Sequence, residues 1–293
     1  DCRDCHLHLQ QMGKAEERNK FTTGEYHSKR MSWQVIEGMK QLYSLFFLAF
    51  ILSCLQVQAQ PAFDRGLQLE QEFKVEEALV QYEQVLKVTP NHAAALTHAS
   101  RMISNIGGRL PVSKKADKAS QYEKARVYAA RAVALEPNNI EAHLALVISL
   151  GLLSEVSDSP SEKVKNAKLI YTEGQAMLRL DSTFSAAYFV LGKWHFELAR
   201  LNWMERMACQ LFFGGLPEGI SMDKAVVYLQ KASALEPNTI LYLFGEARAY
   251  YHLGEESKAI RLLKHAMTLP IREPDDVLRK ERCQELLKEI ERG

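Results

Sequence analysis

Residues 225–237 read Ala-Val-Val-Tyr-Leu-Gln-Lys-Ala-Ser-Ala-Leu-Glu-Pro, and the placing of Ala225, Leu229, Ala232 and Pro237 within them decides the fold. The first three fall four and then three residues apart, on one face of a helix. The proline offers no N–H to a further turn, so the helix has to stop there. The same frame stands at Ala78, Tyr82, Val85 and Pro90, and again at Ala125, Ala129, Ala132 and Pro137. It returns at Ala259, Leu263 and Ala266, closing one residue early at Pro270. A degenerate copy, Ile170, Gly174 and Met177, runs into Leu180-Asp181-Ser182 where a proline is expected. Small residues on one face let neighbouring helices approach closely, and the large residue between them fills the gap.

This is the second-helix half of the tetratricopeptide pattern. Tyr188, Leu191 and Gly192 resemble the opening of its first helix, Gly66 and Leu69 do so more faintly, and Ala247, Tyr250 and Gly254 take the corresponding places in the last copy. The copies are 47, 45, 55 and 34 residues apart, and only the last step has the standard length, so the others carry insertions. Arg109–Ser120 and Ser154–Ser161 are polar and read as loops. Asn202–Ile220 reads as an extra amphipathic helix through Trp203, Met207 and Leu211, ended by Gly214-Gly215-Leu216-Pro217; Trp194, Trp203 and Arg206 are expected to hold it in place. Helix starts are marked by Ser159-Pro160-Ser161-Glu162 and by Asn138 with Glu141. A last helix from Asp275 to Glu291, apolar along Val277, Leu278, Leu286, Leu287 and Ile290, serves as the end cap that a solenoid needs. No stretch after Pro61 alternates like a half-buried strand. The expected fold is all-α: a right-handed solenoid of tetratricopeptide-like helix pairs over 60–293, with insertions and a C-terminal capping helix.

Apolar residues make up 47% of the chain, enough for a real core, and 37 basic residues face 36 acidic ones. So small a net charge gives no field to hold a polyanion, which weighs against nucleic acid as a partner. The N-terminal part reads differently. From Met39 one lysine is followed by an apolar run, Leu42 to Leu55, too short to cross a bilayer comfortably, and by Val57-Gln58-Ala59. Residues 39–59 are therefore expected to be a signal peptide cleaved after Ala59, and residues 1–38 a non-native or disordered leader ahead of it. The product would be exported, periplasmic or secreted. Two alternatives stay open: Ile51-Leu52-Ser53-Cys54 as a lipidation site that tethers the product to a membrane at Cys54, and an uncleaved anchor. Beyond residue 59 only Cys209 and Cys283 remain, too few for a disulfide framework; two free thiols are favoured over one bridge.

The insertions act as a fingerprint. Leu191-Gly192-Lys193-Trp194, Trp203 to Ala208, Phe213-Gly214-Gly215-Leu216-Pro217, Ala225 to Pro237, and Leu269-Pro270-Ile271 with Asp275-Asp276 closely resemble the regulator of microtubule dynamics family, over roughly residues 120–290. That resemblance implies a helical repeat fold, protein association and no catalytic chemistry. The signal-like segment marks the chain as an exported, bacterial-type member, so the fold and mode of action carry over and the partner does not.

Motifs for chemistry are few. Cys2-Arg3-Asp4-Cys5-His6 has haem-attachment spacing, but it lies ahead of the signal, where export would discard it. His92, His98, His143, His195, His252 and His265 lack the paired spacing of helical metal sites, and no nucleophile elbow, Walker or dinucleotide glycine motif occurs. Asp275-Asp276 reads as a helix start. No catalytic residue, metal or cofactor is expected, and an enzyme without motifs is the weaker alternative. What remains is recognition of a protein or peptide on the inner, first-helix face. Counting the frame onto the chain places Phe189, Lys193, Phe196 and Glu197 on one first helix and Arg248, Tyr251 and His252 on another, apolar anchors interleaved with single charges.

Overall fold

The computed structural model describes Lys40, Leu42 and residues 60–292. The leader, the cleavage point at Ala59 and the alternative tether at Cys54 lie outside the described residues. From residue 60 onward the chain runs as α1 (60–71), α2 (Val75–Val88), α3 (Ala93–Arg109), α4 (Lys115–Leu135), α5 (Ile140–Val156), α6 (Pro160–Leu180), α7 (Ser185–Ala199), α8 (Trp203–Phe213), α9 (Met222–Leu235), α10 (Ile240–His252), α11 (Glu256–Thr268) and α12 (Asp275–Ile290). No strand occurs among the described residues.

The frame inferred from residues 225–237 is buried in each of its copies: Ala78, Tyr82 and Val85 on α2, Ala125, Ala129 and Ala132 on α4, Ala225, Leu229 and Ala232 on α9, and Ala259, Leu263 and Ala266 on α11. In the degenerate copy on α6, Gly174 and Met177 are buried too. In two copies the large residue enters a space that a first-helix glycine leaves open. A Cβ added at Gly66 would lie 2.6 Å from the Tyr82 ring, and one at Gly192 would lie 2.6 Å from Leu229 Cγ. α2, α4, α9 and α11 each end two residues before a proline, because the residue ahead of a proline is pushed out of the helical region. On α6, which has no proline, Asp181 ends the helix and accepts the Thr183 N–H at 2.7 Å.

The pairs are α1/α2, where Gly66 and Leu69 meet Tyr82, and α3/α4, α5/α6, α7/α9 and α10/α11, each second helix also packing on the next first helix. First helices touch along the array, α3 with α5, α5 with α7, α7 with α10 and α10 with α12, while the second helices make no comparable contact with one another. Spacing is therefore tighter on the first-helix side. The result is an all-α solenoid of tetratricopeptide-like pairs.

The structure amends the sequence reading at four places. The two polar insertions are largely helix: α3 and α4 have 17 and 21 residues, as do α5 and α6, against 13 each in α10 and α11. Lys, Ala, Asp and Glu are good or tolerable helix formers, and a helix that outruns its neighbours exposes a polar surface that looks like loop. The N-cap of α5 is Asn139, which accepts the N–H groups of Glu141 and Ala142. Trp203, expected to hold α8, points into solvent, whereas Trp194 is buried with Nε1 donating to the Ala167 carbonyl at 2.8 Å, and Arg206 binds the carbonyls of Leu198, Ala199 and Leu201. On α12 the inward stripe is Asp276, Cys283 and Ile290, with Val277 and Leu278 about half exposed. Asp276 turns inward because it binds the N–H groups of Arg272 and Glu273 and the Arg279 guanidinium, which fixes the helix rotation.

Candidate functional site

The predicted inner-face residues fall on α7 and α10, neighbouring first helices, and the structure gathers four of the seven in one corner. Phe196 is 2% exposed. Arg248 covers its ring at 4.6 Å, Arg200 at 5.3 Å, and the His252 ring meets it edge-on at 5.1 Å. Phe196 is thereby corrected from a surface anchor to the floor of the corner. Glu197 stands between the two guanidiniums, 3.5 Å from Arg200 and 3.7 Å from Arg248. Burial pushes the Arg248 pKa below its ordinary value; Glu197 opposes this, and the charges of Arg200 and Arg282 add to it. His252 is lowered likewise, by burial first and then by Arg200 and Arg248, against Glu197 and Glu289. Three guanidiniums thus bear on a corner where Glu197 is the carboxylate in ion-pair reach.

Of the other three, Phe189 and Lys193 lie apart from it, and Tyr251 touches its edge, with its ring 6.2 Å from that of His252. Phe189 stacks on Tyr242 at 5.0 Å over the α7–α10 seam, in space left by Gly245. Lys193 reaches back to Glu155 of α5 at 3.3 Å, and Tyr251 donates to Glu289 of α12 at 3.0 Å. Arg200 was missed by sequence reasoning because it follows the last frame residue of α7; its position three after Glu197 and four after Phe196 is the pattern that would have revealed it.

A second polar knot joins α1 to α3. Glu70 accepts from Tyr82 Oη and pairs with His98 Nδ1, both at 2.8 Å, with Arg101 at 3.6 Å. Burial raises the Glu70 pKa, but His98, Arg101 and Tyr82 together outweigh it and hold the carboxyl below its usual range. Tyr82 is fully buried, whereas Glu70, His98 and Arg101 keep part of their side chains in solvent. His143 is likewise held, between Glu173 and the Pro137 carbonyl. Two concavities of about 320 and 340 Å³ lie on second helices, lined by Glu83, Lys87, Tyr128 and Arg131 in one and by Val164, Lys165 and Lys168 in the other. Ser161, which also lines the second, bonds the Ser159 hydroxyl at 2.9 Å. Among the described residues no three His, Cys, Asp or Glu side chains are grouped to hold a metal ion, and Cys209 and Cys283 are both free thiols.

Comparison with known proteins agrees with this architecture. A thermophilic tetratricopeptide repeat protein of Thermus thermophilus superposes with a TM-score of 0.58 at 19% identity, over 78% of this chain and 99% of that one. Regulator of microtubule dynamics protein 2 of Mus musculus is 24% identical over 148 residues, 50% of this chain and 35% of the mouse protein. Regulator of microtubule dynamics protein 1 of Caenorhabditis elegans is 25% identical over 163 residues, 55% of this chain and 71% of the worm protein. The chain thus spans about a third of the mouse relative and most of the worm one. The family model for regulator of microtubule dynamics protein 1-3 matches residues 63–291, and the chain belongs to that family.

Proposed function

We propose that the chain is a non-enzymatic scaffold that binds a partner protein or peptide along its first-helix face, with the Arg200–Arg248–His252 corner receiving an acidic side chain. The observation that carries this is the pair of guanidiniums laid over the buried Phe196 ring while sharing Glu197 at 3.5 and 3.7 Å. Contacts that long leave donors for an incoming carboxylate, and guanidiniums are suited to grip one with two parallel bonds. Half-burial strengthens the attraction, and the neighbouring aromatics supply apolar contact. Fluorescence polarisation with acidic and basic helical peptides of equal length tests it. Arg248→Glu is expected to weaken acidic-peptide binding at least about tenfold and to reduce its salt dependence. Equal binding of both peptide sets by wild type and variant would sink the assignment.

We further propose that residues 39–59 direct export. Mass spectrometry of the native N-terminus checks this: a chain starting at Gln60 supports it, a lipidated Cys54 turns the product into a tethered scaffold, and an intact Met39 refutes cleavage.

A further inference from the structure

We propose that the outward face of α8 is a contact between two copies of this chain. Trp203, Met204, Met207, Leu211 and Phe212 are 73%, 70%, 39%, 68% and 75% exposed. At about 100° per residue they cover one half of the helix, and Glu205, Arg206 and Gln210 take the other half. The orientation is imposed by polar anchors. Asn202 and Glu205 form a capping box, Arg206 ties the helix to the end of α7, Gly214 closes it with φ 68°, and Lys168 reaches the Gly214 carbonyl at 3.3 Å. An 11-residue helix is marginal in water by itself; here Glu205, Arg206 and Gln210 are exposed as well, only Ala208 and Cys209 among its described side chains are partly covered, and the apolar half is left in solvent. The five side chains present roughly 700 Å², above the largest patch of an ordinary monomer.

A second copy fits this face better than a lipid surface does. Helices that lie on membranes carry lysine and arginine along the polar edge, and the polar half of α8 has one arginine, already committed to three carbonyls. Roughly 700 Å² is close to the ~800 Å² per partner of a standard interface. A two-fold axis through the middle of α8 would bring Trp203 of one copy against Leu211 of the other, satisfying the self-complementarity of an isologous contact. A formal charge of only +1 adds no long-range repulsion between copies.

Sedimentation equilibrium of the full chain over a concentration series reads this. Wild type is expected to dimerise with a micromolar or tighter constant, and Met204→Gln with Leu211→Asn to weaken that at least about tenfold without change in circular dichroism. Because both positions are exposed, folding should survive; Trp203→Ser alone, weakening dimerisation in the same direction, guards against a special effect of the double variant. A monomeric wild type, or a dimer that the variants leave intact, overturns the proposal. So does co-sedimentation of wild type but not the variants with phosphatidylcholine vesicles, which would give the face to a bilayer.

Discussion

His195 lies stacked on Tyr228 at 5.5 Å and edge-on to Trp194 at 5.0 Å, buried, with Nδ1 unpartnered. Burial, helped by the charge of Lys224, pushes its pKa down to about 4. Unfolded histidine titrates near 6.5. Between about 6.5 and 4 the unfolded chain therefore takes up a proton that the folded chain refuses, and stability falls as pH drops through that window; above it both forms are neutral and the contribution is flat. His195→Phe keeps the ring and removes the titration. From pH 7 to pH 5 the wild type should lose about 1–2 kcal/mol more than the variant in urea unfolding, and equal losses would place the acid sensitivity elsewhere. The carboxyls of Glu70 and Asp276 are held below their ordinary range by the hydrogen bonds and charges around them. At this scale the sequence foretold residue types better than roles. Phe196, Glu197, Arg248 and His252 were found by counting, yet the covering of Phe196 depends on Arg200, which the frame does not index.

Among the elements, α12 shows why helix presence is easier to foresee than helix rotation. Its length and apolar content were plain, but Val277 and Leu278 look as apolar in sequence as Leu286 and Leu287; Asp276, held by two backbone N–H groups and Arg279, sets which side faces α10 and α11. Ile290→Ala is expected to cost about 2 kcal/mol by emptying a buried site, while Leu278→Ser should stay within about 0.5 kcal/mol of wild type. Denaturation midpoints of the two variants decide it; the reverse order would mean the other stripe packs inward. The second helices were legible because alanine spacing records how closely two backbones approach. The true extents of α4, α5 and α6 were hidden because polar residues serve a projecting helix and a loop equally well.

For the molecule as a whole, family and architecture were readable from residues 120–290, since repeat spacing and insertion order survive where overall identity is low. The contacts run between neighbours along the chain, so stability is expected to be local. Removing residues 269–293 uncovers Leu263 and Ala266 of α11. Amide exchange should then accelerate in α10 and α11 while α3 to α5 stay near their original protection; uniform acceleration would show a single cooperative block instead. The closer approach of the first helices has a mechanical corollary. When repeats lean on each other along one edge and stand apart along the opposite edge, that edge works as a flexible spine. Small rotations at successive joints accumulate, so the curvature of the array can change while every helix pair stays intact.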